Sequence, residues 1–173
     1  MANHVSNILQ ITARDTEQSV KDIATLSNMF NNAIDAPDDG YDIAMELYPL
    51  NDEKEWRYDP ACELWGSKWV DVDDCYSNDK YIHVRFTSAW DVPTGLLLAI
   101  CDKFDVNVTC RFEDEFTNFF GHFTNQAHTK PVIFYFDLEG GFNEYSYDFE
   151  TWDAERRAVL AKNMKQRTNT EAA

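Results

Sequence analysis

Tyr81-Ile82-His83-Val84-Arg85-Phe86 sits inside the segment from Glu63 to Trp90, and its reading decides the fold. Ile82, Val84 and Phe86 alternate with Tyr81, His83 and Arg85, so the six residues predict a strand with one apolar and one polar face. Upstream lie Trp65-Gly66-Ser67-Lys68-Trp69 and the acidic Asp71-Val72-Asp73-Asp74; downstream, Ser88-Ala89-Trp90 runs into Pro93. Two indoles four residues apart around a glycine bury a large apolar area. Trp65 and Trp69 are therefore expected to be buried, in a plug folded back onto a sheet, with Gly66, Lys68 and Trp90 as its structural partners.

Working outward, Asp91 is expected to cap a helix whose first turn tolerates Pro93 and whose buried stripe is Leu96, Leu97, Ile100, Cys101 and Phe104. Val106, Val108, Cys110 and Phe112 then alternate with polar residues as a strand. Toward the N-terminus, Val5 to Thr12 reads as a strand. Asp15 with Gln18 resembles a capping box opening a helix to about Asn32, and Tyr41 to Tyr48 reads as a short strand stopped by Pro49. Between Leu50 and Asp79 periodicity vanishes, which predicts a packed, loop-rich insertion. Phe119 to Asn125, Pro131 to Leu138 and Phe142 to Phe149 are three further strands, the last two joined through Gly140-Gly141. Asp153 to Arg167 is a final helix.

The order β-α-β, then β-α-β, predicts one α+β domain: a ferredoxin-like antiparallel sheet with two helices on one face, extended by a C-terminal meander and a terminal helix. A chain of 173 residues suits one such domain, and 14% aromatic residues exclude a disordered chain.

Charge narrows the partners. The chain carries 31 acidic and 15 basic residues, a net of -16, and this field opposes direct binding to nucleic acid or to an anionic membrane. Residues 35–79 hold 14 acids and 3 bases, a net of -11, whereas residues 153–173 hold 3 acids and 5 bases, a net of +2. Neither a leader peptide nor a spanning run is legible, so a cytoplasmic protein is expected. Cys62, Cys75, Cys101 and Cys110 form no Cys-x-x-Cys pair and are expected as free thiols.

Trp65-Gly66-Ser67-Lys68-Trp69, Ser88-Ala89-Trp90 before Pro93, Tyr41-Asp42-Ile43 leading to Tyr48-Pro49, and Phe119-Phe120-Gly121 together resemble the YubB-type ferredoxin-like family of phage and plasmid proteins. That family often carries threonine where Ser67 stands and a Pro-Pro pair near Pro93. The resemblance spans roughly residues 3 to 125 in scattered motifs. It implies the ferredoxin-like fold and a mobile-element origin, and it carries over no catalytic residues.

No constellation spells a reaction. Asp71, Asp73, Asp74 and Asp79 lack the glycine and terminal glutamate of a calcium loop; Cys62, Cys75 and His83 lack a fourth zinc ligand. A cysteine nucleophile with His83, His122 or His128 is unconstrained by spacing. Arg111-Phe112 and Ile133-Phe134-Tyr135-Phe136 offer rings of the kind that stack RNA bases, but acidic neighbours flank them. No cofactor and no metal is expected. The leading expectation is an acidic accessory protein that binds a basic host protein through Asp52, Glu53, Glu55, Asp71, Asp73, Asp74 and Asp79. It would act by imitating nucleic-acid charge or as a signature recognised by a defence factor. A small nucleotide- or metal-dependent hydrolase, an RNA-binding module and an oligomerisation module through exposed sheet aromatics are the alternatives; the oligomeric state is open.

Overall fold

The computed structural model describes residues 3–34, 41–47, 58–126, 129–148, 150, 154 and 158. The elements are β1 (His4–Ala13), α1 (Glu17–Ile34), α2 (Tyr41–Leu47), α3 (Tyr58–Trp65), β2 (Val70–Asn78), β3 (Tyr81–Ala89), α4 (Thr94–Lys103), β4 (Val106–Asp114), β5 (Phe119–Asn125), β6 (Val132–Asp137) and β7 (Gly141–Ser146). One seven-stranded sheet has the order β2-β3-β1-β4-β5-β6-β7, and every neighbouring pair is antiparallel. β1, α1, β2, β3, α4 and β4 make the ferredoxin-like unit, and β5 to β7 extend it as a meander beyond β4.

Alternation builds the core. On β1, Val5, Leu9 and Ile11 are buried while Ser6, Ile8 and Gln10 are exposed. Ile82, Val84 and Phe86 of β3 and Val108, Cys110 and Phe112 of β4 continue the same layer, closed above by Ile23, Leu26 and Phe30 of α1 and Leu96, Leu97 and Ile100 of α4. Asn7, Ser88 and Asp114 are polar exceptions within these strands: Asn7 Nδ2 donates to Ser88 Oγ at 2.9 Å and to the Val5 carbonyl at 2.8 Å.

Several expectations are corrected. Tyr41–Leu47 is helix α2 rather than a strand, because Ile43, Ala44 and Leu47 bury one helical face. The second strand of the ferredoxin unit is instead β2, inside the stretch expected as an insertion, which also contains α3. Val70 and Val72 are its buried positions and Asp71 its exposed one, until a register shift between Val72 and Asp74 breaks the alternation. The first helix is capped by Thr16, whose Oγ1 accepts the Ser19 N–H at 3.0 Å, rather than by Asp15. Asp91 does not cap α4, which has Pro93 at that position and no side-chain cap; its carboxyl accepts the Val92 N–H at 2.7 Å. The expected helix from Asp153 to Arg167 lies outside the described residues except for Ala154 and Ala158, both helical.

The Trp65–Trp69 segment joins α3 to β2. Trp65 is fully buried, whereas Trp69 is half-buried rather than buried, edge-on to His4 at 5.4 Å. Gly66 ends α3 at φ +82°, a left-handed conformation that glycine adopts without steric cost, and its N–H bonds the Cys62 carbonyl at 3.1 Å. Ser67 Oγ lies 2.9 Å from the Trp69 and Ala89 carbonyls and accepts the Ala89 N–H at 3.0 Å, which ties the junction to β3. The start of α4 presses against the end of α3 so closely that a Cβ on Gly95 would stand 1.9 Å from the Leu64 carbonyl oxygen. Lys68 Nζ lies 5.7 Å from the Trp90 ring centre, and Trp90, at φ +71°, donates its backbone N–H to the Asn3 carbonyl at 2.8 Å.

Truncating Trp65 to alanine should lower unfolding stability by about 3–5 kcal/mol in a denaturant titration. Trp69→Ala should cost clearly less, because that ring keeps part of its surface in water and so loses less burial on truncation.

Candidate functional site: the acidic edge and the open sheet face

Helices cover one face of the sheet, and the other face displays the polar members of each alternation. Its β2 end is acidic. Asp71 and Asp73 are exposed on an edge strand, and Asp79 is exposed in the turn to β3. Asp74 is different: Arg85 Nε donates to its Oδ2 at 2.8 Å, and this hydrogen bond and charge hold the carboxyl below the usual carboxylate range. Thr87 Oγ1 donates to Asp73 at 3.3 Å, yet partial burial outweighs that bond and raises the Asp73 pKa, with Asp71 and Asp74 adding repulsion. The structure therefore gathers Asp71, Asp73 and Asp79 as acids that make no salt bridge among the described residues, although the Arg85 charge reaches Asp73. It sets Asp74 apart as half of an ion pair. Asp52, Glu53 and Glu55 lie outside the described residues.

Cys75 and His83 border one cleft of about 480 Å³ with Asp74, Tyr76 and Arg85. Burial raises the Cys75 thiol above its ordinary pKa, so the reactive thiolate is disfavoured at neutral pH. Cys62 is on α3, and among the described residues no three His, Cys, Asp or Glu side chains meet in a metal-holding group. His122 is stacked on Phe134 at 4.6 Å, away from Cys75 across the sheet, and His128 is outside the described residues.

The other end of the open face is aromatic. Cross-strand register aligns Phe120 with Phe136 and Phe136 with Phe142, and in the next row His122 with Phe134. Ring centres are 5.1 Å apart for Phe120–Phe136 and 6.2 Å for Phe134–Phe142. These rings, with Arg111 and Glu113, border a recess of about 580 Å³. Reading the strands singly identifies Phe134 and Phe136 but not their partners. The period-2 spacing of Phe120 and His122 is the signal that assigns both to one face.

A smaller recess of about 250 Å³ on the helix-covered side brings Asp91 together with Thr94, Tyr135, Asp137, Tyr145 and Tyr147. Asp91 keeps an exposed face, but loss of water around its carboxyl outweighs the Val92 hydrogen bond and pushes its pKa up to about 6. A folded pKa above the unfolded value of about 3.9 means that the folded chain binds this proton more tightly. The associated stability is present below about pH 4 and lost as pH rises through 6. Asp91→Asn keeps an acceptor for Val92, so it should raise the melting temperature relative to wild type at pH 7–8, with the gain vanishing toward pH 4.

Among the described residues no helix is long and apolar enough to cross a membrane. No curated protein and no solved structure matches the chain significantly. One family does, described as "Ferredoxin-like domain in Api92-like protein", over residues 65–161. That match begins at the buried Trp65 and takes in β2, β3, α4 and all of β4 to β7, more than half of the chain. The chain belongs to the family of Api92-like proteins with a ferredoxin-like domain.

Proposed function

We propose that this protein works by binding a basic groove on a partner protein through its acidic edge strand β2. The supporting observation is the exposure of Asp71, Asp73 and Asp79 along one free edge of the sheet. The strand carries Asp71 and Asp73 two residues apart, and the turn adds Asp79 beyond its end, so negative charge runs along this edge in the manner of a phosphate backbone. The motif resemblance to YubB-type proteins supports a phage or plasmid origin. On this reading the protein acts in the host cytoplasm on a nucleic-acid-handling or anti-phage defence factor, as an inhibitor or as the signature that the factor recognises.

Charged residues also protect sheet edges from pairing with other strands, and that is the competing explanation of the same acids. A test must leave the fold intact. Asp74 is excluded from it because its loss would strand Arg85. The variant Asp71→Asn/Asp73→Asn/Asp79→Asn should lose the partner retained by wild type from a host lysate, and wild-type binding should weaken steeply with salt, since exposed charges are screened over about 10 Å at 0.1 M. The captured factor's nucleic acid should compete with the wild-type chain for one groove. Equal retention of the triple variant would leave the acids as edge protection alone.

RNA binding is the second reading, supported by the clustered rings of the open face, with Arg111 beside them. Glu113 and Glu144, in register with those rings, and the net charge of -16 weigh against it.

A further inference from the structure

The aromatic end of the open face has a charge pattern that complements itself. Two adjacent rows of side chains cross β4 to β7. One row is Glu113, Phe120, Phe136 and Phe142; the next is Arg111, His122, Phe134 and Glu144. Arg111 and Glu113 thus stand on one face of β4, two residues apart and of opposite sign, and neither side chain has an ion pair among the described residues. Phe120 is 47% exposed, Phe136 37% and Phe142 65%, so an apolar patch lies directly beside this charge pair.

We propose that this face is the interface of a two-fold dimer, its occupant a second copy of the chain. A two-fold axis running across the strands at the level of Phe112 exchanges the two rows. Each Arg111 then faces Glu113 of the other copy, Phe120 faces His122, and Phe136 faces Phe134. An isologous contact requires this self-complementarity. Sheets packed face to face stand about 10 Å apart, a distance that side chains of this length fill from both sides. An aromatic side chain buries roughly 200 Å², so the three exposed phenylalanines supply on the order of 300 Å² per copy. With Ile8, Arg111, His122 and Glu144 at the rim, the total for two copies approaches about 1,000 Å², the lower limit of a specific interface. An interface of that size belongs to the weak, transient class. The same axis brings the two acidic β2 edges to one side, so the copies repel each other at low salt.

The test is sedimentation of the full chain over a micromolar concentration series in 0.05 M and 0.5 M NaCl, with circular dichroism to confirm folding of each variant. Wild type should self-associate, and more tightly in the higher salt, because screening relieves the repulsion between two chains of net charge -16. Arg111→Glu and Glu113→Arg should each weaken association at least about tenfold, since each sets like charges face to face. An equimolar mixture of the two variants should recover it, as should the double swap Arg111→Glu/Glu113→Arg. The variant Asp71→Asn/Asp73→Asn/Asp79→Asn should dimerise at least as well as wild type, which separates this interface from the β2 reading. A monomeric wild type in both salts, or a mixture no tighter than either single variant, would overturn the dimer. Dimerisation only after truncation beyond Asp148 would show instead that the chain's own C-terminal segment covers the face. Binding of a labelled single-stranded oligoribonucleotide that is lost in Phe142→Ser, with no self-association, would assign the face to RNA.

Discussion

The double pairing of β1 is the constraint on which the rest of the structure depends. β1 is hydrogen-bonded to β3 on one side and to β4 on the other, with Leu9 opposite Val84 and Cys110, and Ile11 opposite Ile82 and Val108. Because side chains alternate with a period of two, a slip of one residue would turn this whole apolar row to water and bring Ile8, Gln10 and Thr12 into the core. Both helices of the ferredoxin unit are placed by the same choice of face. The ladder also ends in fixed points: Asp105 receives Arg14 Nη1 at 2.9 Å and Thr16 Oγ1 at 2.6 Å, so the start of α1 is fastened to the turn before β4.

Once that face is set, the open face follows without further design. Every residue excluded from the core by alternation has to appear on it, and the seven strands therefore display a continuous band that runs from acidic to aromatic. At the acidic end the bulge in β2 lets Asp73 and Asp74 both avoid the core, and Arg85 neutralises only the second of them. At the aromatic end the meander stacks rings across strands, a contact that stabilises sheet pairing as much as it offers a surface. Burial of Asp114 supports this end from below: its Oδ2 accepts the Asn118 Nδ2–H at 2.8 Å and shapes the β4–β5 turn from which Phe120 emerges.

Local pattern alone determined the strands and helices whose periodicity is unbroken. β3 and β4 declare themselves by strict alternation, β1 by Val5, Leu9 and Ile11 among mostly polar neighbours, and α1 and α4 by apolar residues at helical spacing, which is enough to identify the ferredoxin-like class. Tertiary structure decided the rest. Tyr41–Leu47 is too short for its period to be read, and only a neighbouring hydrophobic surface for Ile43, Ala44 and Leu47 makes it a helix. β2 was hidden because its bulge interrupts the alternation after Val72 and its acids resemble a solvated loop; pairing with β3 makes it a strand. The acidic residues were legible as a composition, but their separation into an ion-paired Asp74 and an exposed Asp71 and Asp73 required Arg85 to arrive from the adjacent strand. The two complementary rows of the aromatic face depend on register across four strands, and register is set by turns and by the shared core rather than by any one segment.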